Sequence, residues 1–133
     1  RKEIELAAMR AVMTLESKMG FSPRDVSAHK CGYDIESLVP DALPAGQPSL
    51  RFIEVKGRAA GASTITVSRN EILTALNQPE QFILAIVEVD GSRTHTVYLK
   101  RPFVNPPDFS VESTTFNMAA LFERAERIYE DNT

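Results

Sequence analysis

The stretch Arg51-Phe52-Ile53-Glu54-Val55-Lys56-Gly57 decides how the rest of the chain is read. Aromatic and β-branched residues, entered from a Pro-rich turn and left through a glycine, predict a short strand. Side chains alternate along a strand, so Phe52, Glu54 and Lys56 point one way and Arg51, Ile53 and Val55 the other. A carboxylate and an ammonium then stand side by side, roughly 7 Å apart along the backbone. Upstream lies a second apolar segment, Tyr33-Asp34-Ile35-Glu36-Ser37-Leu38. Pairing the two as a hairpin brings Asp34 beside Glu54 and Lys56. Two converging carboxylates can hold a hard divalent cation, and a nearby lysine can orient or activate a water, as metal-assisted phosphodiester hydrolysis requires. Taken alone, Glu54-Val55-Lys56 reads first as a salt bridge on a solvated strand. Its context changes that balance.

The 133 residues suffice for one domain with a single core, and 43% apolar with 25% charged residues is ordinary for a soluble globular protein. A net charge of −3 does not advertise a nucleic-acid binder. Its distribution is more telling: between Ser49 and Arg69 the basic residues Arg51, Lys56, Arg58 and Arg69 face Glu54 alone. The single cysteine, Cys31, excludes an internal disulfide. No apolar run approaches the ~20 residues of a membrane span and no signal-peptide pattern is present, so no membrane partner and a cytoplasmic location are expected, nuclear in a eukaryote. The chain opens on Arg1 inside a helical pattern, which reads as one domain, residues 1–133, of a longer protein.

Ile4, Ala8, Ala11, Val12, Leu15 and Met19 recur at helical spacing, predicting a helix over 2–19 that Gly20 stops. Glu16 lies about 40° around that helix from Val12, beside the apolar stripe, where a carboxylate at the rim of the core is the ordinary reading. Ser22-Pro23-Arg24-Asp25 reads as a turn or a short helical start, and residues 39–48, with three prolines, as a loop. Gly57 to Ser63 is small and flexible: either a loop that clamps substrate through Arg58 or a plain hairpin connection. Thr64 to Val67 alternates as a third strand. Ser68-Arg69-Asn70-Glu71 is a capping box, which supplies a structural role for Glu71. The helix it starts ends before Pro79, and Phe82 to Val87 is an unbroken apolar run suited to a central strand covered on both faces. Strand, helix and buried strand predict a right-handed parallel crossover. Asp90-Gly91 turns the chain back as an antiparallel strand from Thr94 to Leu99. Residues 101–115 read as a surface connection, and Phe116 to Glu130 as a last helix with Leu121, Phe122, Ala125, Ile128 and Tyr129 on one face.

Other chemistries lack their parts. His29 and His95 are far apart, one cysteine makes no zinc spacing, and there is neither a Gly-x-Ser-x-Gly elbow nor a phosphate-binding glycine motif before a helix. The irregular His29–Cys31 link offers no convincing nucleophile pair. Tyr33 or Phe52 can stack on a base, though each is more often core.

The order helix, strand, turn, strand, strand, helix, strand, with Asp34 on the first strand and Glu54-Val55-Lys56 on the second, resembles the PD-(D/E)xK nuclease superfamily. More narrowly, Gly32-Tyr33-Asp34-Ile35-Glu36-Ser37, Phe52-Ile53-Glu54-Val55-Lys56-Gly57 and Ser68-Arg69-Asn70-Glu71 resemble the NO VEIN C-terminal domain, over about Glu3 to Val89. The resemblance implies an α/β fold: a restriction-endonuclease-like α/β/α sandwich with a central mixed sheet. It implies Mg²⁺ or Mn²⁺ on Asp34 and Glu54, with the Val55 carbonyl as a further ligand and Lys56 positioning the attacking water. An acidic residue of the first helix often joins such sites, and Glu16 is the matching position. Tyr33 stands where the motif's name places proline. Arg58 and Arg69 would contact phosphates of a nucleic acid, DNA first, and helicase-like or ATPase domains of a parent protein would be partners. The rival expectation is a non-cleaving module that docks nucleic acid or protein with the same fold.

Overall fold

The apolar run beginning at Phe82 does occupy the middle of the sheet. The computed structural model describes residues 2–40, 46 and 48–133. Its strands are β1 (Ser22–Asp25), β2 (Ile35–Leu38), β3 (Leu50–Ala59), β4 (Thr64–Ser68), β5 (Phe82–Asp90), β6 (Arg93–Lys100), β7 (Ser113–Asn117) and β8 (Glu126–Asn132). Its helices are α1 (Lys2–Lys18), α2 (Arg69–Asn77) and α3 (Met118–Arg124). Six strands form one mixed sheet in the order β1-β2-β3-β5-β6-β8, in which only β3 and β5 run parallel. No described helix is long and apolar enough to cross a membrane.

Each face of this sheet buries its own cluster. Ile35, Ile53, Ala85, Val87 and Tyr98 pack under Ala8 and Val12 of α1. Phe82, Leu84, Ile86, Val97 and Leu99 pack on the other side, with Ile72 of α2, Ile65 and Val67 of β4, and Met118 and Leu121 of α3. From Phe82 to Val87 every residue is buried, because both faces of β5 are covered. The result is an α/β sandwich with helices on both faces of a central mixed sheet.

Four expectations are corrected. Ser22–Asp25 is an edge strand and not a turn: it pairs with β2, an edge position tolerates Pro23, and Arg24 reaches Glu36 across the pair at 3.1 Å. The flexible stretch expected from Gly57 is strand as far as Ala59, since pairing with β5 continues through Arg58↔Glu88 and Ala59↔Val89. Arg58 therefore sits on a strand and not on a mobile clamp. β4 stays out of the main sheet, because β2 and β5 already occupy both edges of β3. It pairs instead with β7, which begins at the end of the stretch read as a surface connection and takes the first residues of the expected helix, Phe116 and Asn117. The last helix is short. Asn117 caps it by accepting from Ala120 N at 3.0 Å, and the backbone is extended again at Ala125. Ile128 and Tyr129 then lie in β8, drawn onto the free edge of β6, with a register shift between Tyr98 and Leu99. Of the loop expected over 39–48, residues 41–45 and 47 lie outside the described residues.

Candidate active site

Strand alternation places Phe52, Glu54 and Lys56 of β3 on the α2 face, opposite the Ile53 that packs under α1. The β2–β3 register Ile35↔Ile53, carried one step further, sets Asp34 directly across from Glu54. Two hydrogen bonds fix it there: Asp34 N donates to the Ile53 carbonyl at 2.9 Å, and Val55 N donates to Asp34 Oδ2 at 2.9 Å. Glu54 is 3% exposed. Lys56 Nζ lies 3.2 Å from Glu54 Oε2 and 2.9 Å from Glu71 Oε1. That same Glu71 oxygen accepts Ser68 N at 2.9 Å, while Ser68 Oγ accepts Glu71 N at 3.1 Å, completing the capping box of α2. The cluster opens into a cleft of about 490 Å³ whose lining includes Asp34, Glu54, Val55, Lys56 and Arg58, with Glu5 of α1 and Asp25 of β1.

Two motif glycines admit close approach of the helices, Gly57 under α1, which walls the cleft, and Gly32 against α2. A Cβ on Gly57 would sit 2.7 Å from Ala8 Cβ and 3.0 Å from the Ile4 carbonyl oxygen, so the first turns of α1 cross β3 where no side chain intervenes. Gly32 has φ +92°, and a Cβ there would fall 2.1 Å from Thr74 Oγ1 of α2.

Burial pushes the Glu54 carboxyl well above its ordinary range, and the charge of Asp34 adds to this; Lys56 opposes it without offsetting it. Burial also raises Asp34, against the Val55 N–H, a hydrogen bond shared with Glu54, and Lys56. For Lys56, burial works against the ammonium, yet Glu54 and Glu71 outweigh it and the pKa is raised. Burial pushes Glu71 up, but Lys56 and the Ser68 N–H leave it lowered. Lys56 and Glu71 thus form an ionised pair, while Asp34 and Glu54 share a shortage of positive charge. Such a pair takes up a proton or a cation.

The donor set suits a hard divalent ion. Among the described residues no three His, Cys, Asp or Glu side chains are grouped to hold a metal ion, so Asp34 and Glu54 stand as a carboxylate pair without a third. Mg²⁺ is commonly held by one or two carboxylates, with water and substrate phosphate completing its shell.

The structure brings Asp34, Glu54, Val55, Lys56 and Arg58 together and leaves two expected residues elsewhere. Glu16 is fully buried on the α1 side of the sheet, where Arg51 Nε and a terminal Arg51 nitrogen each donate to it at 3.0 Å and Tyr98 Oη donates at 2.9 Å. Its oxygens are spent there, so α1 offers Glu5 to the cleft and not Glu16. The Arg69 side chain donates to the Asp108 carbonyl at 2.7 Å and holds the connection before β7. Tyr33 and Phe52 stack on each other with centroids 4.5 Å apart. Cys31 Sγ points to the Tyr33 carbonyl at 3.7 Å and does not line the cleft.

Glu71 is the participant that sequence reasoning assigned only to a cap. A usable signal exists. In a parallel crossover the helix starts at the end of the sheet where the first strand finishes, so the N-terminus of α2 must lie near Lys56.

The family model described as Protein NO VEIN, C-terminal, matches residues 4–99, which hold Asp34, Glu54, Lys56 and Glu71 together with both close-approach glycines. Searches of curated proteins and of solved structures found no match.

Proposed function

The chain belongs to the NO VEIN C-terminal family, and on that premise we propose that it is a metal-dependent nuclease domain of the PD-(D/E)xK type, hydrolysing phosphodiester bonds of nucleic acid. The observation that carries this reading is the buried Glu54 with Asp34 across from it and Lys56 alongside, all opening into one cleft. A divalent cation, Mg²⁺ or Mn²⁺, held by Asp34 and Glu54 with the Val55 carbonyl, would polarise a phosphate and acidify a water.

The chain's own groups divide the remaining work. Asp34 stands one residue before β2 and not on the strand expected for it. Its N–H on the Ile53 carbonyl and its Oδ2 on the Val55 N–H tie it to β3, so its place across from Glu54 is fixed by bonds to the β3 backbone. Lys56 stays an ammonium between two carboxylates, which suits it to donate a hydrogen bond to a water or to a charged phosphate oxygen, and not to act as a base. Arg58, two residues further along the same strand face, offers a guanidinium to a neighbouring phosphate. DNA is the first substrate to try, and helicase-like or ATPase domains of a parent protein are the partners that would deliver it.

The test is cleavage of DNA and RNA with Mg²⁺ or Mn²⁺ by wild type and Lys56→Ala. Removing such an electrostatic group typically costs about a hundredfold in rate. Lys56→Ala is expected to lose that much while still binding metal. A protein that binds metal and nucleic acid yet leaves every substrate intact would instead be a docking module.

A further inference from the structure

Glu71 has two partners on a single oxygen, and only one of them belongs to the helix. Oε1 accepts the Ser68 N–H at 2.9 Å, which closes the capping box, and receives the Lys56 ammonium at the same distance. The cap needs no charge, because glutamine serves that position as well as glutamate. The contact to Lys56 bridges two elements that are otherwise distant in sequence, β3 and the first turn of α2. It also opposes the pull of Glu54, whose Oε2 lies 3.2 Å from the same nitrogen. Lys56 is thereby held between two carboxylates, on an otherwise flexible four-carbon stem.

We propose that Glu71 is a positioning residue, which anchors the Lys56 ammonium at the mouth of the cleft through the capped N-terminus of α2. The proposal rests on the reading of Lys56 as the group that serves the attacked phosphate. It gives the capping box a second role, in which α2 fixes where the lysine stands and the helix start and the site become one unit. Outer partners of this kind typically carry about 10- to 100-fold of activity.

The experiment compares Glu71→Gln, Ser68→Ala, Lys56→Ala and the Glu71→Gln/Lys56→Ala double variant. Each is measured for Mg²⁺-dependent cleavage and thermal unfolding. Where Lys56 is present, the rate at which a water-soluble acylating reagent labels it is followed by mass spectrometry. Glu71→Gln keeps a capping oxygen but loses the ion pair with Lys56, and is expected to melt somewhat below wild type, to cleave about tenfold more slowly and to label Lys56 several times faster. Ser68→Ala damages the cap while leaving the Glu71 charge, and is expected to melt lower with cleavage and labelling retained. In the Lys56→Ala background Glu71→Gln should cost nothing further, because neighbours that act through one group are not additive. An additive loss in the double variant, or wild-type labelling of Lys56 in Glu71→Gln, overturns the proposal. If Lys56→Ala cleaves like wild type, the nuclease reading of this site fails by itself. The labelling rate still decides whether Glu71 holds the lysine.

Discussion

Asp34 Oδ2 accepts the backbone N–H of Val55 at 2.9 Å, so a side chain closes the β2–β3 ladder where the two strands separate. The bond pins one carboxylate across from Glu54, which is itself 3% exposed. Without a cation, that juxtaposition costs stability when both groups are charged.

The metal-free protein should therefore weaken as the pH rises. Burial first, and then Asp34, lift the folded-state pKa of Glu54 well above its ordinary 4.5. A folded state that holds its proton more tightly is favoured fully below the unfolded value, and the gain is lost as the pH rises through the folded value. Glu54→Gln removes the charge at nearly constant shape. It should melt at or above wild type at about pH 8, flatten the pH dependence, and bind Mn²⁺ at least about tenfold more weakly. Equal Mn²⁺ affinity in calorimetry would show that the ion is held elsewhere.

The two motif glycines should be intolerant for different reasons. Gly57→Ala drives a methyl to 3.0 Å from the Ile4 carbonyl oxygen, backbone that cannot rotate away, and α1 must shift off β3. Overpacking of this sort costs about 1–3 kcal/mol, and here it also moves a wall of the cleft. Gly32→Ala adds a left-handed φ of +92° to its collision with Thr74. Gly61→Ala, with φ +88° but nothing within 4 Å, isolates the backbone strain at about 1 kcal/mol. Urea unfolding of the three variants gives the ranking, and an equal loss in Gly57→Ala and Gly61→Ala would refute the close-approach argument.

These glycines also mark how far the sequence could be read. β3, β5, the hairpin through Gly91 and the capping box were legible because each announces itself over a few residues: alternation, an unbroken apolar run, a tight-turn pair, a polar cap with its glutamate. Asp34, Glu54 and Lys56 were legible for the same reason, since strand alternation and one hairpin pairing suffice to assemble them. What stayed hidden depends on contacts between distant segments. β8 exists because β6 has a free edge, and nothing within Glu126–Asn132 announces that edge. Glu16 looked like a rim carboxylate because its partners, Arg51 and Tyr98, lie on strands 35 and 82 residues away.

That buried trio is a matter of stability and not of the cleft. Arg51 grips both oxygens of Glu16, and its guanidinium lies over the Phe21 ring at 4.9 Å and near Tyr98 at 5.6 Å. Arg51→Met strands a buried carboxylate and should cost about 3–5 kcal/mol. Tyr98→Phe removes one hydrogen bond to a charged acceptor, worth about 1.5–3 kcal/mol. In folded Glu16→Gln protein, Mn²⁺ affinity should match wild type, because Glu16 and Glu54 lie on opposite faces of the sheet. A weaker Mn²⁺ titration in that variant would return the first helix's carboxylate to the metal.

The two arginines expected to meet phosphate should now separate in a salt titration. Arg58 lines the cleft on the strand face of Glu54 and Lys56, and its buried Nε has no partner among the described residues. Arg69 already donates to the Asp108 carbonyl at 2.7 Å, and its backbone N–H donates to the Glu112 carbonyl. Each phosphate contact releases about one counterion, so losing one lowers the slope of log K against log salt by ~0.9 on duplex DNA. Arg58→Ala should show that change in fluorescence anisotropy with a DNA duplex, at unchanged thermal stability. Arg69→Ala should leave the slope alone and lower the melting temperature, because it frees the connection that leads into β7. The result that would reverse the assignment is a smaller slope in Arg69→Ala beside an unaltered one in Arg58→Ala. The nucleic acid would then run over the N-terminus of α2 and not through the cleft.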